Sequence, residues 1–196
     1  YHDSSETEVA ERIRDADVIV SNKVYISHGA IAAAQRLKLI CVAATGYNNV
    51  DLAAAAEHGV SVCNVRGYAT PSVVQHVFML MLSLARHFSD YQELVKHGGW
   101  QQSRFFCPLD FSIIELSGKT LGIIGHGELG QAVVQVAHAF GMQVLIAEHK
   151  NKPPRAGRIA FDEVLRQADF ITLHCPLSSD TQELISCREL KLMRPT

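Results

Sequence analysis

Short apolar runs alternate along this chain with longer stretches of helical character. The apolar runs predict strands over residues 17–20, 39–43, 60–63, 119–124, 142–147 and 169–174. The helical stretches fall between them, at residues 8–14, 30–37, 52–57, 131–140, 161–166 and 186–193, and the longest spans about 70–88. Strands that alternate with helices form parallel sheets, because each strand needs a crossover to reach its neighbour. The pattern therefore predicts an α/β protein.

Two helix ends carry local signals. Gly59 follows the 52–57 helix and suits the left-handed conformation that often ends a helix. The longest helix begins at Thr70-Pro71, where Thr70 is the predicted N-cap and the missing N–H of Pro71 costs nothing. This start divides the chain into one domain over residues 1–69 and a second over 70–196.

The stretch from Lys119 onward joins a strand to a helix through Gly125-His126-Gly127-Glu128-Leu129-Gly130. A G-x-G-x-x-G turn in this position is the fingerprint of dinucleotide binding. Gly125 permits the tight turn, Gly127 lets the backbone approach a pyrophosphate, and Gly130 lets the helix pack closely on the strand. The helix N-terminus then offers unpaired N–H groups and partial positive charge to the phosphates.

Glu148 ends the strand that follows, 18 residues after Gly130. That spacing matches the acid that binds the adenosine ribose, although a solvated strand-end acid is the alternative. A carboxylate there repels a 2′-phosphate, which favours NAD as the cofactor. Basic residues close by weaken this preference, namely His149, Lys150 and Lys152, so NADP is the alternative cofactor.

The strand count predicts that both domains are incomplete. A dinucleotide-binding fold has about six parallel strands, and three strands with a weak candidate at 158–160 follow residue 118. No opening strand precedes the first helix. We therefore expect an excerpt of a longer protein, made of two partial Rossmann-like domains, each with a doubly wound parallel sheet.

Composition narrows the candidate functions. Hydrophobic residues make up 47% of the chain, and the net charge of −2 comes from interspersed acids and bases, so no nucleic-acid or membrane partner is expected. The longest apolar run, 77–85, is too short to span a bilayer, and the first residues are polar, which favours a cytoplasmic protein. Five widely spaced cysteines favour reduced thiols, and ten histidines without ligand spacing predict no metal site.

Further segments resemble the D-isomer-specific 2-hydroxyacid dehydrogenases. Residues 44–51 resemble their T-G-x-D-N-V-D loop, and residues 64–76 resemble the segment that crosses between their domains. Gly99-Trp100 is similar to their G-x-W element, and residues 173–177 with Thr181 are similar to their H-x-P-L-x-x-x-T turn. Gly67-Tyr68, Gln75-His76 and the glycine turn look most like the glycerate dehydrogenase (hydroxypyruvate reductase) branch.

The resemblance implies two α/β domains with the substrate in a cleft between them. Backbone N–H groups around Thr45 and Gly46 are then expected to hold the substrate carboxylate. Besides Glu148 and the turn residues Gly125, His126, Gly127, Glu128, Leu129 and Gly130, the expected cofactor site includes Thr70, Cys175, Pro176 and Thr181. The catalytic arginine, acid and histidine of the family are expected beyond residue 196. No catalytic residue is therefore assigned here, and the 1–196 excerpt is expected to be inactive.

The resemblance implies hydride transfer between NAD(H) and a small D-2-hydroxy acid or its 2-oxo acid, with glycerate and hydroxypyruvate as the best match, in a homodimer. Two alternatives stay open. One is a dinucleotide-sensing regulator, like the corepressors that resemble this family. The other is an enzyme for glyoxylate or 3-phosphoglycerate, although a phosphorylated substrate needs a basic cluster near Thr45, where the neighbouring loops offer only Arg66 and Lys23.

Three histidines also have purely structural interpretations. His76 lies on the longest helix, where a packed side chain is favoured over a proton donor. His126 lies in the glycine turn and faces either phosphate or solvent. His174 is either a hydrogen-bonded strand-end residue or a neighbour of cofactor-contacting Cys175 and Pro176.

Overall fold

The computed structural model describes residues 4–195, which form two compact units. The first ends at Tyr68 and the second begins at Ala69, whereas the sequence-based division places Ala69 in the first. Each unit is built around its own parallel sheet, so the expected α/β class is confirmed. Across residues 4–195, no helix combines the length and the apolar character that a bilayer crossing requires.

The first unit packs its helices on one face of a parallel sheet. Its elements are α1 (Glu6–Ile13), β1 (Val18–Ser21), α2 (His28–Ala33), β2 (Leu39–Val42), α3 (Leu52–Glu57) and β3 (Ser61–Asn64). The strands pair in the order β1-β2-β3. Ile40 and Val42 are buried in the core with the helices, while Val18 and Val20 on β1 are exposed, because successive strand residues point to opposite faces.

The ends of α2 and α3 differ in how well local sequence fixes them. The bounds of α3 agree with the prediction, and Gly59 follows it with a φ of +67°. The prediction that the preceding helix reaches Leu37 is wrong. Ser27 caps α2 by accepting a hydrogen bond from the backbone N–H of Ala30, and the helix stops at Ala33 because Ala34 leaves the helical region (φ −93°, ψ 71°).

The second unit centres on strand β4. Its elements are α4 (Thr70–Ala85), α5 (Phe88–Lys96), α6 (Gly99–Gln102), β4 (Thr120–Ile124), α7 (Glu128–Ala139), β5 (Gln143–Ile146), α8 (Phe161–Gln167), β6 (Phe170–Leu173) and α9 (Cys187–Leu192). The parallel strands pair in the order β5-β4-β6, and the weak strand candidate at 158–160 appears as an isolated bridge between Ala147 and Ile159. The loops after β4, β5 and β6 therefore share one edge of the sheet.

The longest predicted helix is two helices. The prediction of one helix to about Phe88 is wrong, because α4 ends at Ala85 and His87 adopts a left-handed conformation (φ 49°) before α5 begins. The backbone N–H of Ile114 donates to the carbonyl of Ala85 at 2.9 Å, and the ring of Phe111 stacks on His87 with centroids 5.8 Å apart. The end of α4 is thus fixed by residues more distant in the chain.

Candidate functional site

A tight glycine turn leaves the end of β4. Gly125 has a φ of +93°, and a Cβ atom there would lie 2.5 Å from the backbone nitrogen of Cys175. The backbone N–H of His174 donates to the carbonyl of Ile124 at 2.7 Å, which holds the loop after β6 against the turn. A glycine is needed at this position both for its backbone conformation and for the close approach of the neighbouring loop.

The other two fingerprint glycines differ in the space around them. A Cβ atom at Gly130 would collide with the backbone carbonyl of Gly125, so α7 packs directly under the turn. A Cβ atom at Gly127 would meet nothing within 4 Å, and Gly127 is the N-cap of α7 without any side chain to cap it. The helix N-terminus, where backbone N–H groups and the helix dipole favour anions, is therefore open to a ligand.

A cavity of about 730 Å³ adjoins this turn at the edge shared by the three strands. This volume lies within the range of roughly 300–1,000 Å³ that is usual for small-molecule and cofactor sites. The structure brings together seven of the predicted cofactor residues in its lining: Gly125, His126, Gly127, Glu148, Cys175, Pro176 and Thr181. The uncapped helix N-terminus and the room at Gly127 fit the diphosphate of a dinucleotide.

Four predicted cofactor residues do not line the cavity: Thr70, Glu128, Leu129 and Gly130. The hydroxyl of Thr70 donates to Oε1 of Glu128 at 2.6 Å, which joins the first turns of α4 and α7. Thr70 is the first helical residue, and the N-cap of α4 is Ala69, so the prediction of Thr70 as N-cap is wrong. Pro71 lies in the first turn as expected, because that turn needs no N–H donor.

The carboxylate of Glu148 is held by protein groups. Its Oε1 accepts hydrogen bonds from Nη2 of Arg155 at 2.6 Å and from the backbone N–H of His149 at 2.8 Å. Its Oε2 accepts from Nε of Arg155 at 2.6 Å and from the backbone N–H of Arg155 at 3.1 Å. These contacts, the Arg155 side chain first, hold the pKa of Glu148 far below its usual value. The expected solvent-facing or ribose-facing carboxylate is thus, in this structure, a buried anchor for the loop 149–155.

The loop after β6 is closed by its own side chains. Oγ1 of Thr181 donates to the carbonyl of Pro176 at 2.5 Å and accepts from the backbone N–H of Ser178 at 2.8 Å. His174 lines the cavity, and its Nε2 lies 3.0 Å from Oγ1 of Thr172. Burial lowers the pKa of His174, which favours the neutral ring. The structural interpretation of His174 as a hydrogen-bonded strand-end residue agrees with these contacts.

The cavity also has a basic wall that the fingerprint did not predict. Lys152 and Arg158 line it, together with Lys150, whose ammonium lies 2.9 Å from Oε1 of the buried Glu189. The bias was visible in the sequence as two lysines and two arginines over residues 150–158. What sequence could not show is that Arg155 folds back on Glu148, seven residues earlier.

The predicted substrate loop lies in the first unit, after β2. Thr45 and Gly46 are exposed there. The hydroxyl of Thr45 donates to the carbonyl of Val65 at 2.9 Å, and the carbonyl of Thr45 accepts from Nδ2 of Asn64 at 2.7 Å. The loop is therefore fixed to the segment after β3, while its role toward a substrate stays a prediction.

The first unit also gathers a group that ligand spacing along the sequence did not reveal. His28, at the start of α2, lies close to Glu57 and His58, at the end of α3, with candidate ligand atoms within 4.8 Å of one another. Nε2 of His28 is 3.4 Å from Oε2 of Glu57, and all three side chains are exposed. Spacing rules based on one helix cannot detect a cluster that forms between two helices.

Comparison with known proteins gives consistent matches. Residues 78–196 match the family described as D-isomer specific 2-hydroxyacid dehydrogenase, NAD binding domain. The chain is 42% identical over 195 residues to a putative 2-hydroxyacid dehydrogenase of Haemophilus influenzae, covering 99% of this chain and 62% of that protein. It is 41% identical over 187 residues to glycerate dehydrogenase of Methylorubrum extorquens, covering 95% of this chain and 59% of that protein.

A solved structure extends the comparison to the fold. NAD-dependent formate dehydrogenase from Staphylococcus aureus, in complex with NAD, matches with a TM-score of 0.81 and 32% identity, over 95% of this chain and 56% of that chain. The present chain spans about three fifths of the length of the curated relatives named above.

Proposed function

Since this chain belongs to the D-isomer specific 2-hydroxyacid dehydrogenases, and residues 78–196 carry their NAD binding domain, we propose that the whole protein is an NAD(H)-linked oxidoreductase. Its substrates are a small D-2-hydroxy acid and the corresponding 2-oxo acid, with glycerate and hydroxypyruvate as the preferred pair. The observation that carries the proposal is the open glycine turn at the uncapped N-terminus of α7. A bound nicotinamide dinucleotide supplies or accepts the hydride.

The residues of this chain bind the cofactor and the substrate and orient them. The backbone N–H groups at the start of α7 hold the diphosphate, because Gly127 leaves room for it and the helix dipole favours its charge. Gly125 and Gly130 keep the turn, the helix and the loop after β6 in close contact. In the first unit, backbone N–H groups of the Thr45-Gly46 loop hold the substrate carboxylate, and the hydrogen bonds of Thr45 keep that loop in place.

The choice of glycerate and hydroxypyruvate rests on two supports. The Methylorubrum extorquens relative named above is a glycerate dehydrogenase, at 41% identity. A phosphorylated substrate such as 3-phosphoglycerate needs several cations, and within residues 4–195 the loops beside Thr45 supply Arg66 and Lys23. Glyoxylate, which lacks the hydroxymethyl group, is the alternative substrate.

We also propose a cytoplasmic homodimer. Helix α4 buries Phe78 and Met81 but exposes Met79, Leu80 and Leu84, the last with 72% of its surface accessible. Contiguous exposed apolar side chains usually mark an interaction surface. This exposed face supports the dimer.

The test of the proposed function is an assay of the full-length protein with NADH and a panel of 2-oxo acids. We expect hydroxypyruvate to give the highest kcat/KM, with glyoxylate and pyruvate below it. A tenfold or greater preference for glyoxylate would replace the substrate but keep the reaction. NADH binding with no turnover of any 2-oxo acid would contradict the enzyme and favour a dinucleotide-sensing regulator.

A further inference from the structure

The acid at the tip of β5 has no acceptor capacity left for a ribose. An ionised carboxylate offers about four lone-pair sites on its two oxygens. Arg155 fills two of them through Nε and Nη2, both at 2.6 Å, and the backbone N–H groups of His149 and Arg155 fill the others at 2.8 and 3.1 Å. The Glu148 side chain is 1% exposed. A ribose hydroxyl can bond to Glu148 only if one of these contacts opens.

The negative charge of Glu148 is also neutralised by a nearby cation, which reduces its repulsion of a cofactor phosphate. The Arg155 guanidinium forms a two-pronged contact with the carboxylate, the strongest type of protein ion pair. Arg155 does not line the cavity, and its side chain is 60% exposed, so it neutralises the acid without filling the pocket. The repulsion that the sequence predicts between Glu148 and a 2′-phosphate is therefore largely cancelled.

Apart from Glu148, the charged side chains that line the cavity over residues 147–158 are all cations. Among residues 4–195, Lys152 and Arg158 line the cavity and form no ion pair with a carboxylate, while Lys150 is paired with Glu189. Arg158 donates from Nη1 to the carbonyl of Ala147, directly before Glu148. Asp180, on the loop after β6, also lines the cavity. Within residues 4–195 its carboxylate forms no ion pair. Lysine and arginine are the side chains that bind phosphate.

We propose that Arg155 is a specificity-determining residue: by occupying Glu148 it lets the pocket accept a 2′-phosphorylated adenosine ribose, held by Lys152 and Arg158, so that the protein binds NADPH as well as NADH. This inference rests on the proposed function, since it assumes a dinucleotide in the cavity beside Gly127. It replaces the expectation that the acid selects NAD.

The test is a fluorescence titration of the full-length protein with NADH and with NADPH. For the wild type we expect dissociation constants within about tenfold of each other, because no uncompensated carboxylate faces the phosphate. Arg155→Gln exposes the charge of Glu148, and it should raise the Kd for NADPH by at least about tenfold while the Kd for NADH stays equal or falls. Arg166→Gln is the matched control, since Arg166 also pairs with a glutamate, Glu163, but lies outside the cavity lining.

A second variant is needed because Arg155→Gln removes a contact that holds the loop 149–155 in place. Lys152 is exposed, its backbone N–H donates to the carbonyl of His149, and within residues 4–195 its side chain forms no ion pair, so Lys152→Gln should leave the fold unchanged. It should raise the Kd for NADPH several-fold and leave the Kd for NADH within error. A wild type that binds NADH more than a hundredfold tighter than NADPH would overturn the inference and leave the proposed function standing. A wild type that binds neither dinucleotide would overturn both.

Discussion

Glu189 is a buried carboxylate that ties helix α9 to the basic wall of the cavity. It is 0% exposed and accepts hydrogen bonds from Nζ of Lys150 at 2.9 Å, from Nη1 of Arg188 at 2.8 Å and from the backbone N–H of Ser186 at 3.0 Å. The Ser186 hydroxyl donates to it as well, and the pKa of Glu189 is held far below its usual value by these partners, that hydroxyl first. The carboxylate must be charged for this network to form.

Glu189 should therefore contribute to the pH dependence of the unfolding free energy. Because its pKa is lower in the folded than in the unfolded state, its contribution is complete above about pH 5 and is lost as the pH falls below about 4. Glu189→Gln should make the unfolding free energy depend less steeply on pH under acid conditions. Urea titrations between pH 7 and pH 3 measure this slope. An unchanged slope would show that the pKa of Glu189 is the same in the folded and unfolded states, and would contradict the network described above.

At the scale of single residues, the sequence predicted where functional side chains lie better than it predicted which residues they contact. The three fingerprint glycines could be assigned distinct tasks, because conformation and space are local properties of a turn. Glu148 could be placed at a strand end but not paired, since its partner Arg155 becomes a neighbour only when the intervening loop closes. The capping role of Thr70 was misjudged for a similar reason: the N-cap is Ala69, and the hydroxyl of Thr70 bonds to Glu128, 58 residues away.

At the scale of elements, helix α3 starts with a cap drawn from the loop that resembles the family motif. Asp51 is the N-cap, and its Oδ1 accepts a hydrogen bond from the backbone N–H of Ala54 at 2.9 Å. The same loop carries Thr45 and Gly46 at its other end. Asp51 therefore has a structural role that needs no ligand.

Asp51→Ala should lower the unfolding free energy by about 1 kcal/mol, because one helix amide loses its acceptor. Asp51→Ser keeps an acceptor in the capping position and should restore most of the loss. Urea unfolding gives the stabilities, and an NADH titration should give the same Kd for all three proteins. A large change in NADH affinity with unchanged stability would contradict the capping role.

The strands and their parallel pairing could be anticipated, whereas the ends of α2 and α4 could not. Apolar runs and the alternation of elements depend on local sequence, and they located every strand to within one or two residues. The break between α4 and α5 contains neither glycine nor proline. It is set by Phe111 and Ile114, which contact His87 and Ala85 from outside the helix, so no local pattern announces it.

At the scale of the whole molecule, family membership was predictable and is confirmed, because the motifs that carry it are spread over nearly the whole chain in the right order. Cofactor preference was harder to predict, since it depends on how charges pair in the folded loop. Substrate choice is harder still, because the contact proposed for the Thr45 loop uses backbone groups, which are alike in many sequences.

The proposed homodimer gives a prediction at this scale. Leu84→Glu places a charge on the exposed apolar face of α4 without touching the buried residues of that helix. We expect the full-length wild type to sediment as a dimer and the variant to dissociate at micromolar concentration, with circular dichroism unchanged. A wild type that sediments as a monomer, or a variant that stays dimeric, would exclude this face as the interface.

Binding of a dinucleotide at the glycine turn can be separated from folding by a pair of glycine substitutions. A Cβ atom at Gly127 meets nothing within 4 Å, so Gly127→Ala should fold like the wild type while its methyl group intrudes on the space of the diphosphate. Gly29, in α2, has equally open surroundings and provides the matched control, Gly29→Ala. Gly29→Ala should keep the wild-type melting temperature or exceed it, and Gly127→Ala should lower it only slightly, because alanine is a poorer N-cap than glycine.

The deciding measurement is the Kd for NADH of the full-length protein and these two variants, by fluorescence titration. We expect Gly127→Ala to weaken binding by at least about tenfold, the equivalent of one lost charge-assisted contact, and Gly29→Ala to bind like the wild type. Equal affinity of all three proteins would mean that no diphosphate lies at the N-terminus of α7.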